Sequence, residues 1–205
     1  MKLYYSPGAC SIGIHVLLEE IGKPYEAVLL NLREGAQFQP DFVGINPKSK
    51  VPTLVRDDGT ALTEYPAIAF WLAATNPEAG LMPAGAEGQA RAIEATDYAV
   101  STMHMQGFSR MFRPANFAPS EGDAEAVKAR GKEIFAKGLA NMDKALSGKE
   151  WLAGSYSFAD SALFYVSFWW AARLNQDLPA NVAAHYARMN ARPAVQRTLK
   201  AEGLA

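Results

Sequence analysis

At 205 residues the chain lies at the border between one large domain and two small ones, and 49% hydrophobic residues suffices for one or two packed cores. Lys and Arg number 20 against 21 for Asp and Glu, a formal net charge of −1, so no overall charge draws the chain to nucleic acid or to an acidic membrane surface. One cysteine excludes an internal disulfide, and no apolar run approaches the roughly 18 residues of a membrane span.

The opening MKLYYSPG is too polar, and too soon broken by Pro7-Gly8, to read as a signal peptide, which makes the cytoplasm the expected compartment. Residues 2–5 are rich in β-formers, Ser6-Pro7-Gly8 ends them, and Ile12, His15, Val16, Leu17 and Ile21 recur at helical spacing until Gly22. Residues 25–32 read as a second strand, and a helix between two strands predicts a parallel, right-handed βαβ unit. Residues 51–56 and 60–64 flank Asp57-Asp58-Gly59, a hairpin signal, and Ala67, Ile68, Trp71 and Leu72 then share a helical face. The stretch NPEAGLMPAGAEG is dense in Gly, Pro and Ala and marks a linker. Beyond it only helical patterns follow, at about 89–112, 122–147, 157–173, 179–191 and from 194. Ser157-Phe158-Ala159-Asp160 opens the third of them as a capping box with Asp in place of Glu.

The lone Cys10 falls where the first strand turns into the first helix. A helix start favours thiolate over thiol through its dipole and its unpaired amides, so the position predicts a lowered pKa; a small buried hydrophobe is the alternative. The run Cys-Ser-Ile-Gly holds no second thiol, which excludes an intramolecular dithiol mechanism and leaves partnership with an external thiol. Pro52 begins a strand and so withdraws no ladder bond. Glu64 precedes a helix start, where outward amides favour an anion and an acidic residue favours the dipole.

The ordered set KLYYSPGACS, NPKSKVPTL, LTEYPAI, the SFAD box and the terminal RPAVQRTLKAEGL resembles the bacterial beta-class branch of the cytosolic glutathione transferases over essentially the whole chain. The resemblance implies an α/β plus all-α fold, an N-terminal thioredoxin-like βαβ-ββα domain at 1–76, a linker at 77–88 and a helical domain at 89–205. It implies a cis Val51-Pro52 bond that turns the Val51 backbone towards the peptide of glutathione, with the γ-glutamyl ammonium at Glu64 and the carboxylate near the amide of Tyr65. Cys10 and Ser11, followed by Tyr5, are the implied stabilisers of a thiol or partners in a mixed disulfide.

On the helix at about 89–112, His104 matches the family's position near the sulfur when counted from Ile93-Glu94, whereas counting back from Gly107-Phe108 selects Met105; His104 is preferred. Asp97 lies two α-helical turns before His104, on the same face, and is implied to reach the glutathione ammonium in the neighbouring subunit of a homodimer. Phe108, Phe112, Phe117, Trp169 and Trp170 are candidate walls of an apolar pocket, with core packing as the alternative for each.

The expected function is a detoxifying transferase that conjugates glutathione, as co-substrate and without a metal, to small hydrophobic electrophiles. Two alternatives stand beside it: a glutathione-dependent disulfide or peroxide reductase working through Cys10, and a non-catalytic protein that binds glutathione or hydrophobic ligands.

Overall fold

The computed structural model describes residues 1–205. β1 (Lys2–Tyr5) buries Leu3 and Tyr5 and leads through the Ser6–Ala9 turn into α1 (Ser11–Ile21). The helix stops at Gly22, whose φ of 71° places it in the left-handed region where a missing Cβ removes the steric cost, and its N–H closes on the Leu18 carbonyl at 3.0 Å. β2 (Glu26–Leu29) then pairs parallel to β1, from Lys2↔Glu26 to Tyr5↔Leu29, as the βαβ pattern predicts. It ends three residues before the expected limit because the Asn31 side chain accepts from the Arg33 amide at 3.1 Å and caps a 3-10 turn, Leu32–Glu34.

A second 3-10 turn, Ala36–Phe38, and α2 (Pro40–Val43) lead to β3 (Thr53–Val55) and β4 (Ala61–Thr63), the arms of the expected hairpin. The Arg56 N–H meets the Thr60 carbonyl at 2.9 Å, and Gly59 takes φ 82° in the turn. The sheet order is β2-β1-β3-β4, mixed, with β1–β3 and β3–β4 antiparallel. α3 (Tyr65–Thr75) follows and packs on α1, and Leu3, Ile12, Leu17, Leu54, Ile68 and Leu72 are fully buried around them.

The second half is helical, as expected, though not uniformly α. α4 (Gly85–Asp97) passes without a break into a π-helical segment, Tyr98–Phe108, and then α5 (Ser109–Phe112). Sequence periodicity predicts one α-helix here; the backbone instead pairs five residues apart, as in Ser109 N–H to His104 carbonyl, and its turns are wider.

α6 (Ala124–Ala145) lies against the π-helical segment at close range. A Cβ on Gly131 would stand 2.7 Å from the Gly107 carbonyl oxygen, and one on Gly107 would meet the Phe135 Cβ at 3.1 Å. α7 (Phe158–Phe168) is buried on every side, continues as a π-helical turn, Trp169–Arg173, and is followed by α8 (Ala180–Asn190). Its capping box is present: Asp160 Oδ2 accepts from the Ser157 amide at 2.9 Å and the Ser157 hydroxyl at 3.2 Å. Asp160 Oδ1 also accepts from Leu152 N–H at 3.1 Å and pairs with His185 Nε2 at 3.0 Å, all within the core.

By its contacts the chain divides into Met1–Met82 with Arg188–Ala205, and Pro83–Ala187. The last segment, assigned from sequence to the helical domain, thus groups with the sheet. α9 (Pro193–Ala201) packs on α1, with Arg192 Nε on Glu20 at 2.5 Å and Arg197 Nε on Glu19 at 2.6 Å. Burial opposes the charge of Glu19, but the Tyr25 hydroxyl and Arg197 together hold its carboxyl below the usual range. No helix is long and apolar enough to cross a membrane.

Candidate functional site in the sheet unit

The β1–α1 turn that carries Cys10 is closed by hydrogen bonds. Ala9 N–H closes on the Ser6 carbonyl at 2.9 Å, and the Ser11 hydroxyl accepts from the Ser6 amide at 3.2 Å while lying 3.3 Å from the Ser6 carbonyl. Ser11 is fully buried, so its hydroxyl serves the turn. The Cys10 thiol donates to the Val51 carbonyl at 3.3 Å. Here the sequence expectation of a lowered pKa is overturned: burial pushes the thiol up to about 12, outweighing the amides of Cys10 and Ser11 and the positive charge of Lys50, while Glu64 adds to the rise. The helix start acts in the predicted direction, but desolvation is the larger effect at a 9% exposed residue.

The bond between Val51 and Pro52 is cis. Asn46, 1% exposed, staples the loop that carries it: its side-chain amide donates to the Lys50 carbonyl at 2.9 Å and to the Thr53 hydroxyl at 2.8 Å, and its oxygen accepts from the Lys48 amide at 3.0 Å. Val51 itself is buried with Leu30 and Phe42, against Tyr4, Ala9, Leu32 and Ala36. The peptide groups beside Pro52 are therefore fixed from both sides.

Glu64 caps α3 with φ 69°, unusual for a residue with a side chain, and such strained backbones gather at functional sites. Its carboxylate is 57% exposed and pairs with Lys48 Nζ at 2.8 Å, which also donates to the Thr63 hydroxyl at 2.9 Å. A half-exposed pair of this kind contributes little to stability and exchanges readily for another cation. Tyr65 is 4% exposed, so its ring belongs to the core, which leaves the backbone as the part of it near the helix start. Tyr5 is also buried, its ring 5.2 Å from that of His15; burial, and then the charge of Glu202, raise its pKa.

The remaining sequence candidates lie in the helical unit. His104 is half-buried, edge-on to Trp169 at 4.6 Å and to Tyr165 at 5.9 Å, whereas Met105 is 41% exposed. Asp97 ends α4, is exposed, and accepts from the Ser101 hydroxyl at 3.4 Å. Because the interval from 97 to 104 runs through wide turns, seven residues make less than two turns, so the two-turn argument for a shared face does not hold. Phe108 stacks on Trp169 at 4.1 Å and on Phe112 at 5.5 Å, and Phe112 is 63% exposed. Phe117 lies under the Arg110 guanidinium at 4.6 Å. Trp170 is core: its ring stacks on Phe135 at 5.1 Å and its Nε1–H donates to the Asp177 carbonyl at 2.9 Å.

Sequence reasoning missed Asn46, Lys48, His15 and Glu202. The first two stand inside the quoted NPKSKVP run, and an Asn before Pro is a turn signal that carries no hint of a double staple. His15 and Glu202 sit at helical core spacing, and only the fold brings them together.

A thioredoxin-like sheet unit with a cis-Pro loop beside a helix-start cysteine, followed in the chain by a helical unit, defines the class. Residues 8–75 match the family model described as glutathione S-transferase, N-terminal domain. The chain is 36% identical to glutathione S-transferase GstA of Escherichia coli, with all of both chains covered. A Sulfitobacter glutathione transferase homolog with bound glutathione superposes with TM-score 0.90 at 30% identity, covering 100% of this chain and 98% of that one. The beta-class glutathione S-transferase of Sphingomonas chungbukensis gives 0.85 at 36%, with both chains fully covered. The chain belongs to the glutathione S-transferase family.

Proposed function

We propose that the enzyme joins the thiol of glutathione to electrophilic carbon in small hydrophobic molecules, with glutathione's own sulfur as the nucleophile. The observation that carries this choice is the buried Cys10 thiol, pushed up to about 12 and engaged with the Val51 carbonyl. A neutral, buried thiol is a poor nucleophile, which disfavours the disulfide-reductase alternative and makes Cys10 a wall of the site.

The extended glutathione peptide pairs with the Val51 backbone ahead of Pro52, and its ammonium takes the place of Lys48 on Glu64. Support comes from the fixed loop and from the exchangeable, half-exposed ion pair. Ser11 and Tyr5 shape the turn around the sulfur. From the helical unit, the family resemblance assigns His104 to the thiolate, and Phe112, the exposed end of the Trp169–Phe108–Phe112 stack, has a ring face suited to an apolar electrophile. With a halonitroarene the sulfur pair forms the C–S bond, the halide leaves with its bonding pair and the thiol proton passes to solvent.

The protein acts in the cytoplasm as a homodimer, in which Asp97 of the partner subunit completes the ammonium site. Exposed Ile93 and Met105, 45% and 41% accessible on α4 and the π-helical segment, support an apolar subunit contact.

Steady-state conjugation of a chloronitrobenzene tests the reading. Wild-type protein turns over, and Glu64→Ala raises the KM for glutathione by about tenfold or more with a smaller effect on kcat. Absence of conjugation together with reduction of a glutathione mixed disulfide would overturn it.

A further inference from the structure

The terminal stretch RPAVQRTLKAEGL carries a carboxylate that the proposed reaction does not use, and the fold inserts it beneath the cysteine turn. Glu202 follows α9, is 5% exposed as a residue and has a fully buried side chain. One of its oxygens accepts from the Gly8 amide at 2.7 Å, across 194 positions of sequence, and the other meets His15 Nδ1 at 2.8 Å. Both oxygens are thus engaged, one on the turn and one on α1.

Gly8 takes φ 60° two residues before Cys10, in the same turn that the Ser6 and Ser11 bonds close. Cys10 in turn reaches the Val51 carbonyl. The linkage therefore runs from the last helix, through a buried carboxylate and one backbone amide, to the cysteine turn and the cis-Pro loop. The tail is itself secured on α1: Arg192 holds Glu20, and Arg197 holds both the Glu19 carboxylate and the Glu19 carbonyl, at 2.6 and 2.8 Å. These clasps fix the depth at which Glu202 enters. The His15 ring is itself packed between Tyr5, tilted against it at 5.2 Å, and Tyr25, edge-on at 5.8 Å.

We infer that Glu202 is a positioning residue for the glutathione site, setting the Gly8–Cys10 turn from the C-terminal segment. The inference rests on the reading that glutathione lies against Cys10 and Val51. It makes the tail part of the site's frame, in keeping with the grouping of residues 188–205 with the sheet unit.

The test uses Glu202→Ala and Glu202→Gln in the full chain, measuring KM for glutathione, kcat and the rate of Cys10 alkylation by iodoacetamide at pH 8. Ala removes the carboxylate that holds the Gly8 amide; KM rises about fivefold or more while kcat at saturation stays within about twofold. Alkylation accelerates about tenfold or more as the turn opens. Gln keeps an acceptor for Gly8 and stays near wild type in all three.

A folded Ala variant with wild-type KM and alkylation rate would overturn the inference, leaving Glu202 a support of the tail alone. Should Ala fail to fold, the Arg192→Gln/Arg197→Gln pair loosens the tail from the solvent side: faster alkylation supports the inference and an unchanged rate defeats it. Alkylation reads the turn without glutathione, so failure of the wild type to bind glutathione would count against the site reading and not against this linkage.

Discussion

Two opposing effects meet on the sulfur of Cys10. The amides at the start of α1 and the charge of Lys50 favour thiolate, and burial opposes it more strongly. The position of the residue at a strand-to-helix turn was legible from Pro7-Gly8 and the helical spacing after it. Its burial was not, because that depends on Val51, which is 41 residues away in sequence. The outcome for reactivity is direct: with the thiol raised to about 12, iodoacetamide should react slowly at neutral pH. The rate should climb about tenfold per pH unit between roughly 7 and 9, as the thiolate fraction does. Fast alkylation below neutrality would contradict this account.

His104 and Met105 are likewise told apart by their surroundings. Motif spacing alone left a one-residue ambiguity, and burial now separates the two side chains, one packed on Trp169 and one at the surface. His104→Ala should lower kcat/KM for conjugation severalfold, and Met105→Ala should leave it nearly unchanged. The reverse result would transfer the role to Met105.

Among the elements, the βαβ unit, the hairpin and the start of α7 follow from signals that act within a few residues: Gly22 at a helix end, Asp57-Asp58-Gly59 at a turn, Ser157 and Asp160 at a cap. The π-helical segment Tyr98–Phe108 does not, since apolar residues recur there at a spacing that suits an α-helix equally well. Close approach of α6 to this segment depends on having no side chain at Gly131. Gly131→Ala should therefore cost about 1–3 kcal/mol, read as a lowered denaturation midpoint, because the added methyl meets backbone rather than a movable side-chain end. Gly122→Ala, where the nearest atom is 3.7 Å away, should be nearly neutral. Equal effects at both sites would show that the close contact is not tight. The capping box makes a graded prediction: Ser157→Ala should cost about 1 kcal/mol. Asp160→Ala should cost more, about 3–5 kcal/mol, since it also strips a buried partner from His185. Urea denaturation of the two variants orders them.

For the molecule as a whole, composition and element order gave the division into a sheet half and a helical half, and the family resemblance gave the chemistry. The return of the C-terminal segment to α1 was hidden, because salt links such as Arg197–Glu19 join charged residues that each look solvated in sequence. Sedimentation should find a dimer, and Asp97→Ala should raise the KM for glutathione more than it lowers kcat, as removal of a ground-state contact does. A monomer with full glutathione affinity would remove Asp97 from the site.

Catalysis depends above all on whose sulfur attacks. The direct measurement is conjugation of a chloronitrobenzene by Cys10→Ala at saturating glutathione. Because the buried thiol is assigned to the frame of the site and glutathione supplies the nucleophile, kcat should remain within about tenfold of wild type. Loss of conjugation in a variant that still folds and binds glutathione would contradict the account and make Cys10 the nucleophile.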